Sequence, residues 1–209
     1  MKNNYKIYYN DSFILFSSKR EQINNNFTKV VEGQQKAERL LRSPDFLYDG
    51  VTNERILLVC EYPGQLMCDF LEKTDVIVAG GGLVWNEQGE LLMIFRRGKW
   101  DLPKGKIELE ELIIDGAKRE VTEETGVKVE TVDNNPIVTY HAYMLKGKRL
   151  LKQTVWYSMK AAPGQSQLSP QTEEDISDVK WVSRQALPSY QAGCYPLIWD
   201  LISDYALKD

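Results

Sequence analysis

The sequence holds few of the residues that build zinc sites and disulfide-stabilised domains. It contains one histidine, His141, and three cysteines, Cys60, Cys68 and Cys194, in 209 residues. A single histidine excludes chemistry that needs a pair of them. An odd number of cysteines without a Cys-x-x-Cys pair argues against structural zinc and fits a reducing compartment, so we expect a cytoplasmic protein.

Long apolar runs and an excess of positive charge are also missing. No stretch approaches the ~20 apolar residues of a membrane-spanning helix, and the N-terminal Met-Lys-Asn-Asn-Tyr-Lys lacks the apolar core of a signal peptide. The net charge of −4 gives no reason to expect a nucleic-acid polymer. We therefore expect neither a membrane nor a nucleic acid as partner.

The three glycines at 80–82 are not followed by Gly-Lys-Ser/Thr, which excludes a phosphate-binding P-loop. They lie inside a β-rich run, where glycine indicates that something approaches the backbone closely. A neighbouring strand and a bound substrate both fit this pattern.

The chain does contain alternating β-rich and amphipathic segments, which predict an α/β protein. We divide it into a small N-terminal α/β module, residues 1–72, and a main domain, residues 73–209. Residues 97–104 are predicted as a loop. The main predicted elements are strands at 5–9, 13–16, 27–31, 56–60, 76–85, 90–96, 127–132, 136–145, 150–159 and 179–182, and helices at 34–42, 63–71, 184–187 and 196–207, besides the helix described next.

Residues 105–127 form the densest functional pattern in the chain. Glu120, Glu123 and Glu124 are three and four residues apart, so they share one face of a predicted helix. Hard carboxylate oxygens suit Mg²⁺ or Mn²⁺. Arg119 precedes Glu123 by four residues and can form an ion pair with it. Taken alone, the cluster also fits a solvated acidic helix.

The opposite face of this helix is apolar. Ile113, Ala117 and Val121 recur every four residues and are predicted to be buried. Gly126 is placed to end the helix in a left-handed conformation, whereas no hydroxyl residue is placed to cap its start.

The whole stretch matches Gly-x5-Glu-x7-Arg-Glu-U-x-Glu-Glu-x-Gly-U, with U aliphatic, from Gly105 to Val127. Seven fixed positions at ~1 in 20 each give a chance agreement of ~10⁻⁹. The stretch resembles the signature of the Nudix hydrolases. This resemblance implies an α/β/α sandwich with a mixed sheet and a metal-dependent enzyme that cleaves a diphosphate linked to a moiety X.

The resemblance also implies roles for individual residues. The implied cofactor is Mg²⁺ or Mn²⁺, and its implied ligands are Glu120, Glu123, Glu124 and the backbone carbonyl near Gly105. Arg119 is implied as the residue that orients these carboxylates. Glu111 is implied as an indirect contributor or a ligand of a further metal.

The base that activates water is predicted outside the helix, because metal-bound glutamates are weak bases. Related Nudix enzymes often place a catalytic glutamate in a mobile loop, and the loop after Ala161 ends in Glu173 and Glu174. We predict Glu174 before Glu173. The alternative bases are Glu123 and Glu120 within the helix. The alternative without a catalytic role is that Glu173 and Glu174 form an acidic cap on a surface turn.

Substrate contacts are predicted on both sides of the signature. The candidate phosphate ligands are cationic and crowd the approach to the helix, although each also fits a solvated strand edge. Two tyrosines beside His141 can stack a base or be ordinary strand residues. These candidates are Arg96, Arg97, Lys99, Lys104, Lys106, Tyr140 and Tyr143.

The substrate class is the least specific prediction. Trp100-Asp-Leu-Pro-Lys-Gly-Lys and Gln171-Thr-Glu-Glu-Asp-Ile resemble diadenosine polyphosphate and diphosphoinositol polyphosphate hydrolases. A small-molecule phosphoanhydride, first a (di)nucleoside polyphosphate, is therefore expected. Diphosphoinositol polyphosphates, ADP-ribose-type compounds and a Nudix-fold nucleotide sensor without turnover are the alternatives, and a homodimer stays open.

Overall fold

The computed structural model describes residues 4–19, 26–42, 47, 53–165 and 167–207. The chain forms two compact units, the first comprising Met1–Ile77 with Tyr140–Gln153, and the second Val78–Thr139 with Thr154–Asp209. The segment 140–153 thus belongs to the first unit, although the sequence places it in the main domain. The division into domains at residues 1–72 and 73–209 stays a prediction.

The first unit is built from short strands and two helices. Its elements are β1 (Asn4–Tyr9), β2 (Ser12–Ser17), β3 (Lys29–Glu32), α1 (Gln34–Arg42), β4 (Arg55–Val59) and α2 (Pro63–Leu71). The β1–β2 hairpin turns at Asn10, whose φ of 50° confirms the predicted asparagine turn. β2 and β3 both run parallel to β4, and Ile7 of β1 pairs in parallel with Tyr140.

The second unit carries the signature. Its elements are β5 (Val76–Trp85), β6 (Leu91–Arg96), β7 (Lys99–Asp101), β8 (Lys104–Lys106), α3 (Ile113–Thr125), β9 (Val129–Val132), β12 (Ile176–Val182) and α4 (Pro196–Tyr205). The strands β10 (Ile137–Leu145) and β11 (Lys148–Ala161) contribute residues to both units, and β5 begins with two residues of the first.

Strand β6 shows how the second unit is layered. Its residues alternate between two apolar clusters, as the period of two in a strand requires. Leu91 and Met93 belong to the cluster that includes α4, whereas Leu92 and Ile94 belong to the cluster that includes Ala117 of α3. The sheet therefore lies between α3 and α4, which confirms the predicted α/β/α sandwich.

Three predicted elements differ in the structure. The predicted loop 97–104 contains the three-residue strand β7 and the first residue of β8. Arg97 and Gly98, with φ of 52° and 79°, turn the chain back so that β7 pairs with β6, and β8 pairs with β5. β12 begins at Ile176 instead of 179, since it pairs along the whole of β6. The short helix predicted at 184–187 is a turn in the structure, followed by a 3₁₀ helix over Leu187–Gly193.

Close approach to the glycines of β5 is confirmed, and a neighbouring strand makes it. Gly80 of β5 pairs with Gly105 of β8, and a Cβ on Gly81 would lie 2.6 Å from the Lys104 Cβ. These contacts bring the signature against β5.

In the part of the chain that the structure describes, no helix is long and apolar enough to span a membrane.

Candidate active site

Helix α3, which carries the acidic residues of the signature, packs against the core of the second unit. Ala117 and Val121 are fully buried in the core of the second unit, and Gly126 ends the helix with a left-handed φ of 77°. The predicted helix end and the predicted burial of these two residues are confirmed, whereas Ile113, the third residue of the predicted apolar face, is only partly buried. No side chain caps the first turn at Leu112, as the sequence indicated.

Arg119 connects the acidic residues of the signature. Its Nη1 donates to the carboxylates of Glu120 and Glu123, at 2.8 Å each. Its Nε and Nη2 donate to the two oxygens of Glu111, at 2.9 Å each. This confirms the predicted ion pair with Glu123. The Arg119 guanidinium lowers the pKa of Glu111 to about 2.

Glu120 is buried beside the loop that precedes α3. Its side chain fills the space next to Gly105, where any Cβ would overlap the carboxylate. Burial raises the pKa of Glu120, and the negative charges of Glu123 and Glu174 raise it further, while Arg119 opposes them. Negative charge at this position is therefore only partly compensated.

Glu124 is fully buried, with 0% of its surface exposed. The backbone N–H of Lys104 donates to its Oε2 at 2.8 Å, and Nη1 of Arg96 donates to its Oε1 at 3.3 Å. Burial still raises the pKa of Glu124 to about 7. Together with Glu120, it forms a pair of buried carboxylates on one face of the helix.

Glu174 is brought to this face, whereas Glu173 is not. Nη2 of Arg96 donates to Oε2 of Glu174 at 2.9 Å, so one arginine joins Glu174 to Glu124. Glu173 lies exposed on the same 3₁₀ turn. The geometry favours Glu174 of the two predicted bases, and the role itself stays a prediction.

The predicted phosphate ligands do not form one group of free cations. Lys104 Nζ pairs with Asp101 Oδ2 at 2.7 Å, and Arg97 Nε pairs with Asp175 Oδ2 at 3.0 Å. Lys99 Nζ lies 5.8 Å from the centre of the Tyr195 ring. The side chain of Lys106 is exposed, and its carbonyl accepts from Arg119.

Tyr140 and Tyr143 belong to the first unit, while the signature belongs to the second. Tyr140 packs against the core of its unit, which fits the strand-residue alternative. Tyr143 stacks on His141 with ring centres 5.8 Å apart. A role for either tyrosine in substrate binding stays a prediction.

Two residues at the site were missed by the sequence analysis. Asp101 is 5% exposed and raises the pKa of Glu124 through its charge. Its place in the stretch that begins at Trp100 was the signal for it in the sequence. The backbone N–H of Gln171 donates to the carbonyl of Glu124 at 3.3 Å. Its Oε1 is buried and has no donor among the described residues.

The donor set suits a divalent cation, although it is not preassembled. Among the residues that the structure describes, no three carboxylate, imidazole or thiol groups converge on one metal position. Arg119 and Arg96 instead take up oxygens of these carboxylates in ion pairs. Glu120 and Glu124 nevertheless offer buried anionic oxygens with raised pKa values. A hard cation would neutralise this charge, so the residues fit Mg²⁺ or Mn²⁺.

A cavity of about 550 Å³ lies elsewhere in the second unit, lined among others by Trp85, Lys160, Arg184 and Tyr205. None of the signature residues lines it. The two buried, only partly compensated carboxylates, Glu120 and Glu124, lie on α3 and not at this cavity.

The comparisons with known proteins point to one family. The NUDIX domain family matches residues 75–198. Over 55 residues the chain is 49% identical to a MutT-like protein of Streptomyces ambofaciens, covering 25% of this chain and 36% of that protein. Over 96 residues it is 38% identical to a mutator protein named MutT4 of Mycobacterium tuberculosis (strain CDC 1551 / Oshkosh), covering 45% and 37%. These matches span little more than a third of either relative.

Among solved structures, the chain is similar to a MutT protein from Methanosarcina mazei Go1, with 22% identity and a TM-score of 0.42 over 65% of this chain and 99% of that one. The family match covers more than half of the chain and contains the complete signature. The chain therefore belongs to the NUDIX domain family.

Proposed function

We propose that this chain is a Mg²⁺- or Mn²⁺-dependent pyrophosphohydrolase whose substrate is a nucleoside diphosphate linked to a moiety X, first of all a (di)nucleoside polyphosphate. The observation that carries the proposal is the pair of buried carboxylates, Glu120 and Glu124, in a complete Nudix signature. Uncompensated negative charge is costly in a protein interior unless a ligand neutralises it.

Each residue of the site then has a task. Glu120, Glu123 and Glu124, with the Gly105 carbonyl, would hold the metal. A bound divalent cation supplies charge neutralisation for the phosphoanhydride and lowers the pKa of water. Arg119 keeps Glu120 and Glu123 oriented through its hydrogen bonds.

Glu174 would accept the proton of the attacking water. It suits this task because it lies on a turn outside the helix and is held beside the α3 carboxylates without being one of them. Once the water has attacked phosphorus, the bond to the bridging oxygen breaks and the leaving phosphate departs with that oxygen.

The charge pattern favours a nucleotide over a diphosphoinositol polyphosphate. An inositol ring crowded with phosphates needs many uncommitted cations. Arg96, Arg97 and Lys104 are instead each paired with a carboxylate. The sensor alternative has less support, because every carboxylate of the signature is present.

A substrate panel tests this proposal. It comprises dinucleoside polyphosphates, nucleoside triphosphates, ADP-ribose and a diphosphoinositol polyphosphate, each with Mg²⁺ and with Mn²⁺, and the products are read as phosphate and nucleoside monophosphate. We expect hydrolysis of a dinucleoside polyphosphate that ceases with EDTA. Calorimetric binding without hydrolysis of any compound would identify a sensor instead.

A further inference from the structure

Arg96 stands at the end of β6 and bridges two segments that are far apart in sequence. Its Nη1 donates to Glu124 of α3 at 3.3 Å and its Nη2 to Glu174 at 2.9 Å. The side chain is only 21% exposed. Its Nε is buried and finds no acceptor in the residues that the structure describes.

Backbone hydrogen bonds fix the turn that carries Glu174, but they do not fix the orientation of its carboxylate. Glu174 N–H donates to the carbonyl of Gln171 at 3.1 Å, and Gln171 N–H donates to the carbonyl of Glu124 at 3.3 Å. The Glu174 side chain itself is 40% exposed. A half-exposed carboxylate near Glu120 and Glu124 would be repelled toward solvent unless a cation held it.

We propose that Arg96 is a positioning residue, whose guanidinium holds Glu174 beside the buried carboxylates of α3. This inference rests on the proposed function and deepens it, because it assigns to Arg96 the placement of the base. The sequence predicted Arg96 as a phosphate ligand. Nη1 and Nη2 each already donate to a carboxylate, so much of the positive charge of Arg96 is compensated before any phosphate binds.

The neighbouring ion pair provides a comparison within the same protein. Arg97 Nε pairs with Asp175 Oδ2 at 3.0 Å and joins the same strand end to the same turn. Those two side chains are 66% and 63% exposed, and exposed pairs of this kind contribute little. Asp175→Asn is therefore a matched control for Glu174→Gln, since asparagine also tolerates the left-handed φ of 62° found there.

The kinetic test is a double-mutant cycle of Arg96→Gln and Glu174→Gln. We expect each single variant to lower kcat at least ~10-fold with little change in KM, and the double variant to be no slower than the slower single variant. Arg96→Lys should recover part of the loss, because an ammonium can hold one of the two carboxylates. Asp175→Asn should stay within about twofold of wild type.

Hydrogen exchange supplies a readout that does not need turnover. In Arg96→Gln the amides of Glu174 and Asp175 should exchange faster than in wild type or Asp175→Asn, because the turn loses its hold on β6. If Arg96→Gln fails to fold, Arg96→Lys and Glu174→Gln give the same comparison.

The outcomes separate the two proposals. An inactive wild-type protein overturns the proposed function, whereas the exchange rates still decide whether Arg96 holds the turn. Unchanged exchange overturns the positioning role. Multiplicative kcat losses, or a rise confined to KM, show that Arg96 binds substrate without placing Glu174, which also overturns it.

Discussion

The carboxylate of Glu120 occupies the space that a side chain on Gly105 would need: a Cβ built there overlaps both carboxylate oxygens. Gly105→Ala should therefore push Glu120 out of the site. We expect a stability loss of about 1–3 kcal/mol, as for other overpacked positions, and a large loss of turnover. Urea unfolding and the hydrolysis assay measure the two effects.

Gly64→Ala is the matched control for that variant. The atom nearest to a Cβ on Gly64 is the Tyr5 hydroxyl oxygen, at 3.2 Å, and alanine suits the first turn of α2. Its turnover should match wild type. Normal turnover in Gly105→Ala would show that Glu120 can leave this position without consequence, and so is not a metal ligand.

Glu124→Gln and Glu120→Gln should each lower turnover at least ~100-fold, because each removes an anionic oxygen from the metal site. Both variants should fold, since the amide keeps the shape of the carboxylate. Mg²⁺ should raise the melting temperature of wild type but not of either variant. Glu130→Gln, at an exposed position on β9, is the control. Near-normal turnover of Glu124→Gln at limiting Mg²⁺ would remove Glu124 from the ligand set.

Local signals account for what the sequence predicted well. Helices α1 and α2 have their predicted bounds. Each shows an apolar face over its nine residues, and a proline stands at or near one end of each in the sequence. The short strands β7 and β8 were missed, since three residues are too few to show alternation. The Arg96–Glu174 contact joins residues 78 positions apart. Only the fold brings these two residues together, so no spacing in the sequence could reveal their contact.

The ion pair of Glu111 with Arg119 should appear in the acid stability of the metal-free protein. The pKa of Glu111 lies at about 2 in the folded protein, below its ordinary 4.5. A lowered carboxyl pKa adds stability above the unfolded pKa and loses it as pH falls through the folded one. The stability advantage of wild type over Glu111→Gln should thus shrink between about pH 5 and pH 2.

Urea titrations at pH 5, 4 and 3 with EDTA check this expectation. Arg119→Lys is the companion variant, because it keeps the charge but loses the two parallel hydrogen bonds. A constant difference between wild type and Glu111→Gln across this range would show that the pair does not couple to folding.

The cysteines should differ in reactivity. Cys68 is exposed, whereas Cys60 and Cys194 are buried, and burial raises the pKa of both to about 11. Their thiolate fraction at pH 8 is then ~10⁻³, too low for fast reaction. Ellman's reagent should label Cys68 rapidly in the folded protein and all three thiols after unfolding. Cys68→Ser should abolish the fast phase; a fast phase that survives would show that a buried thiol opens readily.

A fragment that begins at residue 73 should lose apolar burial in the first unit. Leu151 is fully buried and Ala142 is 2% exposed, and both belong to a core built mainly from residues before 73. Tyr140 would also lose its parallel pairing with Ile7 of β1. Exposing Leu151 alone costs about 1.5–3 kcal/mol.

We expect the fragment to show poor solubility and strong binding of an apolar dye, both partly relieved by Leu151→Gln. The same substitution in the full chain should instead lower the melting temperature, because there Leu151 has its partners. A soluble fragment without dye binding and with wild-type hydrolysis would show that residues 73–209 fold independently of the N-terminal module.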